Sequence, residues 1–176
     1  MRLYLVASLL PLTLLASCGD PEVASSAVKQ IALAMGDDST TVLKLSSDDV
    51  GLLSREAGVS DDVIRSTAPE LDQQSLYSAL SAGLSDFANT VPSELRSNLM
   101  GLACDGLRGK ITNDEQLWQD LLQRVSEVTP DEARSYFFAV RGLWQDLYDA
   151  SVSTDPDDKA SAAIICFTAE QVAGLG

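Results

Sequence analysis

The side chains that could carry chemistry are carboxylates and three cysteines, because the chain holds 26 acidic residues and no histidine. The lack of histidine removes Ser-His-Asp and Cys-His catalysis and most zinc sites. A pair of carboxylates can hydrolyse a glycan when the two acids stand at a set separation. Glu56, Glu70 and Glu94 are the acids we expect to find in a cleft if the chain has that activity. The sequence itself assigns no catalytic residue.

The sequence indicates neither a cofactor nor a metal ion. It has no glycine-rich phosphate loop of the GxGxxG or GxxxxGK[ST] kind. The segment DGLRGKITNDE, residues 105–115, lacks the alternating Asp ligands of a calcium loop. Asp155, Asp157 and Asp158 are close in sequence, but capping of a helix accounts for them. These absences favour a protein that is not an enzyme.

The N-terminal segment MRLYLVASLLPLTLLASCGD has one arginine and then an uncharged apolar run over residues 3–16. Its Leu15-Ala16-Ser17-Cys18 resembles the lipobox of bacterial lipoproteins. The resemblance implies that residues 1–17 are removed as a signal peptide and that Cys18 carries diacylglycerol and an N-acyl chain such as palmitate. These chains would anchor the protein to a membrane of the cell envelope. The alternative is a hydrophobic core helix with an incidental cysteine.

The residue after Cys18 bears on which membrane is involved. Enterobacterial lipoproteins retained in the inner membrane usually have Asp at that position, whereas this chain has Gly19. By that analogy, the periplasmic face of the outer membrane is favoured over the inner membrane.

Two further cysteines, Cys104 and Cys166, form an even pair in a chain expected outside the cytoplasm. Oxidising compartments favour disulfides, so these two residues are disulfide candidates. The bond would close a loop of about sixty residues and contribute roughly 4 kcal/mol in the chain-entropy treatment. Two buried free thiols are the alternative.

The charge of the chain bears on its partners. The segment LLSREAGVSDDVIRS, residues 52–66, resembles the helix-turn-helix of bacterial repressors. However, the net charge is −14, and Asp61 and Asp62 open the second helix, where a repressor meets phosphates. We therefore expect no nucleic-acid partner. An acidic surface instead favours a protein partner that is basic.

Apolar residues recur every three or four positions along most of the chain, and almost nothing alternates with period two. This pattern predicts an all-α protein, a compact bundle of about five or six main helices with additional short helices. One short irregular segment is expected near 37–47. We expect 18–20 to be a very short tether after the lipidated Cys18 and 21–176 to be a single helical domain.

Capping patterns predict where several helices begin. In the last helix, Ala160, Ile164, Phe167 and Gln171 are expected along one side. The predicted starts are Asp20-Pro21-Glu22, Thr112 with Glu115, Thr129-Pro130-Asp131-Glu132 and Asp155-Pro156-Asp157-Asp158.

The pentapeptide LWQDL occurs twice, at residues 117–121 and 143–147. Each copy is followed by a proline and two acids at the same distance, which fits either duplication of a helix-loop unit or independent use of good helix residues. Trp118 and Trp144 are candidates for partner contact if they face solvent. Core packing is the alternative for both.

Together these features predict a membrane-anchored periplasmic lipoprotein that acts as a binding or scaffolding accessory module of an envelope complex. One alternative is a carboxylate-dependent hydrolase of envelope glycan. Another is an envelope defence or immunity lipoprotein that blocks an incoming phage or toxin. An exposed apolar patch would favour the binding module. A cleft with two carboxylates of raised pKa would favour the hydrolase.

Overall fold

The computed structural model describes residues 22–23, 26–36, 43–68 and 75–173. Cys18, the predicted signal peptide and Glu70 lie outside the described residues. Within them the fold is an all-α bundle, as predicted, with one pair of two-residue strands. The elements, in chain order, are β1 (Glu22–Val23), α1 (Ser26–Met35), β2 (Leu43–Lys44), α2 (Ser47–Ala57), α3 (Asp61–Thr67), α4 (Ser75–Thr90), α5 (Ser93–Leu107), α6 (Asp114–Arg124), α7 (Pro130–Val152) and α8 (Pro156–Ala173).

Helix α8 is the central helix of the bundle. Every residue from 160 to 169 is buried, and helices α1, α2, α3, α5 and α7 pack around it. Ala160, Ile164 and Phe167, predicted along one side of this helix, are buried, and so are the residues between them. The segment ASAAIICFTA is apolar or small on all sides, and such a helix is stable only when it is enclosed. Gln171, expected on the buried side, is exposed.

Helix α7 is the other long packing element, and two glycines let its neighbours approach it closely. A Cβ atom on Gly106 of α5 would lie 2.6 Å from Cδ1 of Trp144. A Cβ atom on Gly83 of α4 would lie 2.9 Å from Cδ2 of Leu143. Side chains at these two positions would push α5 and α4 away from α7.

Some of the helix caps are those that the sequence predicts, and others are not. Thr129 and Glu132 form the predicted capping box at the start of α7. The Thr112–Glu115 prediction is wrong, because Asn113 caps α6 and its Oδ1 accepts a hydrogen bond from the Gln116 backbone N–H at 3.0 Å. An Asn side chain reaches the orphan amides of the first turn as well as a Thr side chain does.

The predicted helix start at Asp20-Pro21-Glu22 is also wrong. Glu22–Val23 is extended and pairs antiparallel with Leu43–Lys44, and α1 begins at Ser26. Pairing with β2 satisfies backbone groups that a first helical turn would leave without partners.

The segment predicted to be irregular near 37–47 is described from residue 43 onward. Leu43–Lys44 is the strand β2, Leu45 is buried, and α2 begins at Ser47. Ser46 caps α2 through a capping box with Asp49. The chain is thus extended for only a few residues before α2.

The predicted disulfide between Cys104 and Cys166 is present and joins α5 to the central helix α8. Both cysteines are fully buried, and their Cα atoms are 5.7 Å apart. None of the helices in the described part of the chain is long and apolar enough to span a membrane.

Candidate functional site

The most distinctive surface of the described residues lies where α6 packs against α7. The ring of Trp118 meets that of Phe137 edge to face, with centroids 5.3 Å apart. Phe137 in turn contacts Phe138 at 5.7 Å between ring centroids. Phe138 is 63% exposed and Leu122 is 40% exposed. We call Trp118, Leu122, Phe137 and Phe138 the aromatic face.

Helical geometry explains why apolar side chains reach solvent here. Consecutive residues of a helix point about 100° apart, so two adjacent phenylalanines cannot both face the core. The buried side of α7 is formed by Val140, Trp144 and Leu147. Phe137 lies at its edge and is partly covered by Trp118, whereas Phe138 points away from it.

Charged side chains border the aromatic face. Nε of Arg141 on α7 donates a hydrogen bond to Oδ2 of Asp114 on α6 at 2.7 Å. Both side chains are about half exposed, so this ion pair contributes little to stability. Arg134 is exposed one turn before Phe138, and no ion pair to it is seen among the described residues.

The two tryptophans named from the sequence have different environments. Trp118 is half-buried on the aromatic face. Trp144 is 2% exposed, and its Nε1 donates a hydrogen bond to the carbonyl oxygen of Ile111 at 3.3 Å. Trp144 is therefore a core residue and is not available for partner contact. The two LWQDL copies bury both of their leucines, but α6 lies at the edge of the bundle and α7 lies inside it.

Sequence reasoning missed Phe138, the most exposed member of the aromatic face. The signal was the Phe137-Phe138 pair. Other apolar residues of α7 already occupy the positions that face the core, so the second phenylalanine is left over. An aromatic residue outside those positions has no core position to occupy.

Two of the acids proposed for a hydrolase, Glu56 and Glu94, do not share a site. Glu56 lines an open cleft of about 510 Å³ together with Leu52, Arg55, Arg108 and Glu170. Glu94 does not line this cleft; it lies at the exposed start of α5 beside Ser93. Glu70 lies outside the described residues.

In that cleft, one guanidinium group holds two carboxylates. Nε of Arg108 is 2.7 Å from Oε1 of Glu56, and its Nη2 also pairs with Oε1 of Glu170. Burial alone would lower the pKa of Arg108, but its hydrogen bonds to Glu56 and Glu170 outweigh burial, and that pKa is raised. Arg108 therefore connects the C-terminal end of α5 to α2 and α8, which is a structural role.

A second charged cluster adjoins the first and was not foreseen from the sequence. Asp105 is buried and accepts hydrogen bonds from Lys110 at 3.0 Å and from Arg124 at 2.9 Å. Arg108 lies 4.0 Å from the same carboxylate. A buried acid with cations on several sides is a typical ion-pair network that links helix ends.

One carboxyl group with a raised pKa, that of Asp146, lies on α7. Burial raises the pKa of the half-buried Asp146, and the nearby charge of Asp149 raises it further. Both acids are on α7, so they do not face each other across a substrate site. No group of three metal-ligating side chains occurs in the described ranges.

Comparison of the chain with protein-family models, curated proteins and solved structures finds no match. The site must therefore be interpreted from its own geometry.

Proposed function

We propose that this protein is a membrane-anchored lipoprotein of the bacterial envelope that acts as a binding or scaffolding accessory module. Its aromatic face is the contact surface in this proposal. The observation that carries it is Phe138, an aromatic ring left exposed beside Phe137 and Trp118 on a helix hairpin. Large exposed apolar residues grouped on one surface mark interaction sites more often than isolated ones do.

The composition of this face also supports a protein contact. Trp and Arg are enriched among the residues that dominate binding energy at protein interfaces, and Phe is enriched in interface cores. Four such residues lie within a few turns of one another on α6 and α7: Trp118, Phe138, Arg134 and Arg141. Both helices are held by the core through buried leucines, so the face is carried by rigid elements.

The anchor is the second part of the proposal. Leu15-Ala16-Ser17-Cys18 supports processing before Cys18 and lipidation of that residue, and Gly19 supports the periplasmic face of the outer membrane. The buried disulfide between Cys104 and Cys166 is compatible with an oxidising compartment. The net charge of −14 predicts a partner that is basic as a whole, and this prediction does not concern the charge of the one segment that contacts the aromatic face.

Affinity capture from crosslinked membranes tests the proposal. The wild-type chain should recover one stoichiometric protein partner, and Phe138→Ala should lose it. Val152→Ala is the matched control, because Val152 is also 63% exposed on α7 but lies away from α6. Cys18→Ala should lose the partner by leaving the membrane. Equal recovery by wild type and Phe138→Ala would contradict the proposed contact surface.

The hydrolase is a weaker second candidate, favoured by the cleft that contains Glu56 and Glu170. Both carboxylates are engaged by Arg108, whereas a general acid must be free to give up a proton. Release of soluble sugar fragments from isolated envelope glycan by wild type but not by Glu56→Gln would support the hydrolase.

A further inference from the structure

The charged residues of α7 nearest to Phe138 are basic, although the chain as a whole is acidic. Its neighbours one turn away on α7 are Arg134 and Arg141 on the side toward α6, and Ser135 and Gly142 on the other side. No acidic residue of α7 lies within one turn of Phe138. A chain with net charge −14 thus presents its exposed aromatic ring between two arginines.

Both guanidinium groups are available to a partner. Arg134 is exposed and has no ion pair among the residues that the structure describes. Arg141 pairs with Asp114, but the two side chains are 46% and 49% exposed, so exchange for another carboxylate costs little. The planar, forked guanidinium group of arginine matches a carboxylate with two parallel hydrogen bonds.

We propose that the aromatic face docks an acidic, apolar protein segment. Apolar side chains of this segment cover Phe138, Trp118 and Leu122, and its carboxylates pair with Arg134 and Arg141. This inference rests on the proposed function, because it names the chemistry of the partner at the same face. Charges more than about 8 Å apart are largely screened at physiological ionic strength, so the local arginines decide the contact although the whole chain is acidic.

Three other occupants fit less well. An anionic membrane is a broad surface that would also cover the exposed Asp114 and Glu115 of α6, whereas the carboxylates of a single segment need to meet only Arg134 and Arg141 of α7. The described N-terminal strand β1 does not occupy the face either. It pairs with β2 just before α2, whereas α6 packs on α5 and α7. A second copy of this chain that docked symmetrically at Phe138 would bring Arg134 and Arg141 of both copies together, so like charges would repel each other.

Photocrosslinking from the edge of the face tests the inference in the full-length chain in its own envelope. A photoreactive p-benzoylphenylalanine replaces Ser135, which is exposed one turn from Phe138 and leaves that ring in place. We expect a crosslinked protein segment with apolar residues and at least two acids within one turn of the attachment point. The same reagent at Ser60, which is exposed before α3, is the position control. A basic segment, a lipid, a second copy or no product would overturn the inference.

Charge reversal separates this inference from the proposed function. The double variant Arg134→Glu/Arg141→Glu should lower the yield of the crosslinked product about tenfold or more, as expected for central arginines of an interface. Arg55→Glu/Arg65→Glu changes the net charge equally on α2 and α3 and should leave the yield unchanged. If Phe138→Ala abolishes the product but reversal of the arginines does not, the proposed function stands and the acidic segment is wrong. If Phe138→Ala leaves the product unchanged, both are wrong.

Discussion

Trp118 on α6 and Phe137 on α7 pack edge to face, with their ring planes at 88° and their centroids 5.3 Å apart. This contact fixes the α6–α7 hairpin from its outer side. It also covers Phe137 while leaving the next residue, Phe138, in solvent. The two adjacent phenylalanines therefore have different environments: Phe137 is packed against α6, and Phe138 is exposed.

The first prediction concerns the difference between the packed Phe137 and the exposed Phe138. Phe138→Ala should change the free energy of unfolding by no more than about 0.5 kcal/mol, because the ring is mostly exposed. Phe137→Ala removes the contact with Trp118 and should cost about 1 kcal/mol or more. Urea denaturation of both variants measures the difference. Equal destabilisation would show that Phe138 is a packing residue.

The second prediction concerns the close approach of α5 to α7. Gly106→Ala should destabilise the fold by about 1–3 kcal/mol, because the new Cβ would overlap Trp144. Gly142→Ala is the matched control on α7, since no atom lies within 4 Å of its added Cβ. There the better helix propensity of alanine should stabilise the protein by about 0.5–1 kcal/mol. Shifts of the same sign in thermal unfolding would contradict this packing.

The third prediction concerns the bond between α5 and α8. Replacing both Cys104 and Cys166 by alanine should lower the free energy of unfolding by about 2–4 kcal/mol, because the unfolded chain regains the freedom of a long loop. The same chain unfolded and refolded under reducing conditions is the control and should show a similar loss. Unchanged denaturation midpoints in both samples would mean that the bond does not contribute to stability.

The fourth prediction concerns pH. Burial and Asp149 raise the pKa of Asp146 in the folded state, so its charged form opposes folding. Its contribution to stability is fully present below the unfolded pKa of about 3.9 and is lost as pH rises through the folded pKa. Asp146→Asn should therefore raise the melting temperature at pH 7, and this gain should vanish below about pH 4. Asp149→Asn should give a smaller gain, because burial of Asp146 remains. A gain independent of pH would point to a cause other than ionisation.

The helices were predictable because their apolar residues recur with one period and their ends carry caps. Thr129 and Glu132 predicted the start of α7 correctly, and the recurrence of apolar residues every three or four positions predicted the all-α bundle. The first helix start failed because a local capping pattern does not show that Glu22–Val23 pairs with a strand some twenty residues later. Tertiary pairing overrides such local preferences.

The candidate site was less predictable than the fold. Trp118 could be named as a contact residue, but the identical pentapeptide around Trp144 gave the same signal for a core residue. Which copy reaches solvent depends on how many helices surround it, and that is a property of the packed bundle. The cluster of Asp105, Lys110 and Arg124 is likewise assembled from two helices and a loop that only the fold brings together.

The most direct test of the account is the intact mass of the native protein from separated membrane and soluble fractions. We predict a membrane-bound chain that begins at Cys18 and carries the mass of a diacylglycerol and one further acyl chain, with Cys18→Ala released from the membrane. An unprocessed chain without acyl groups in the cytosolic fraction would contradict it.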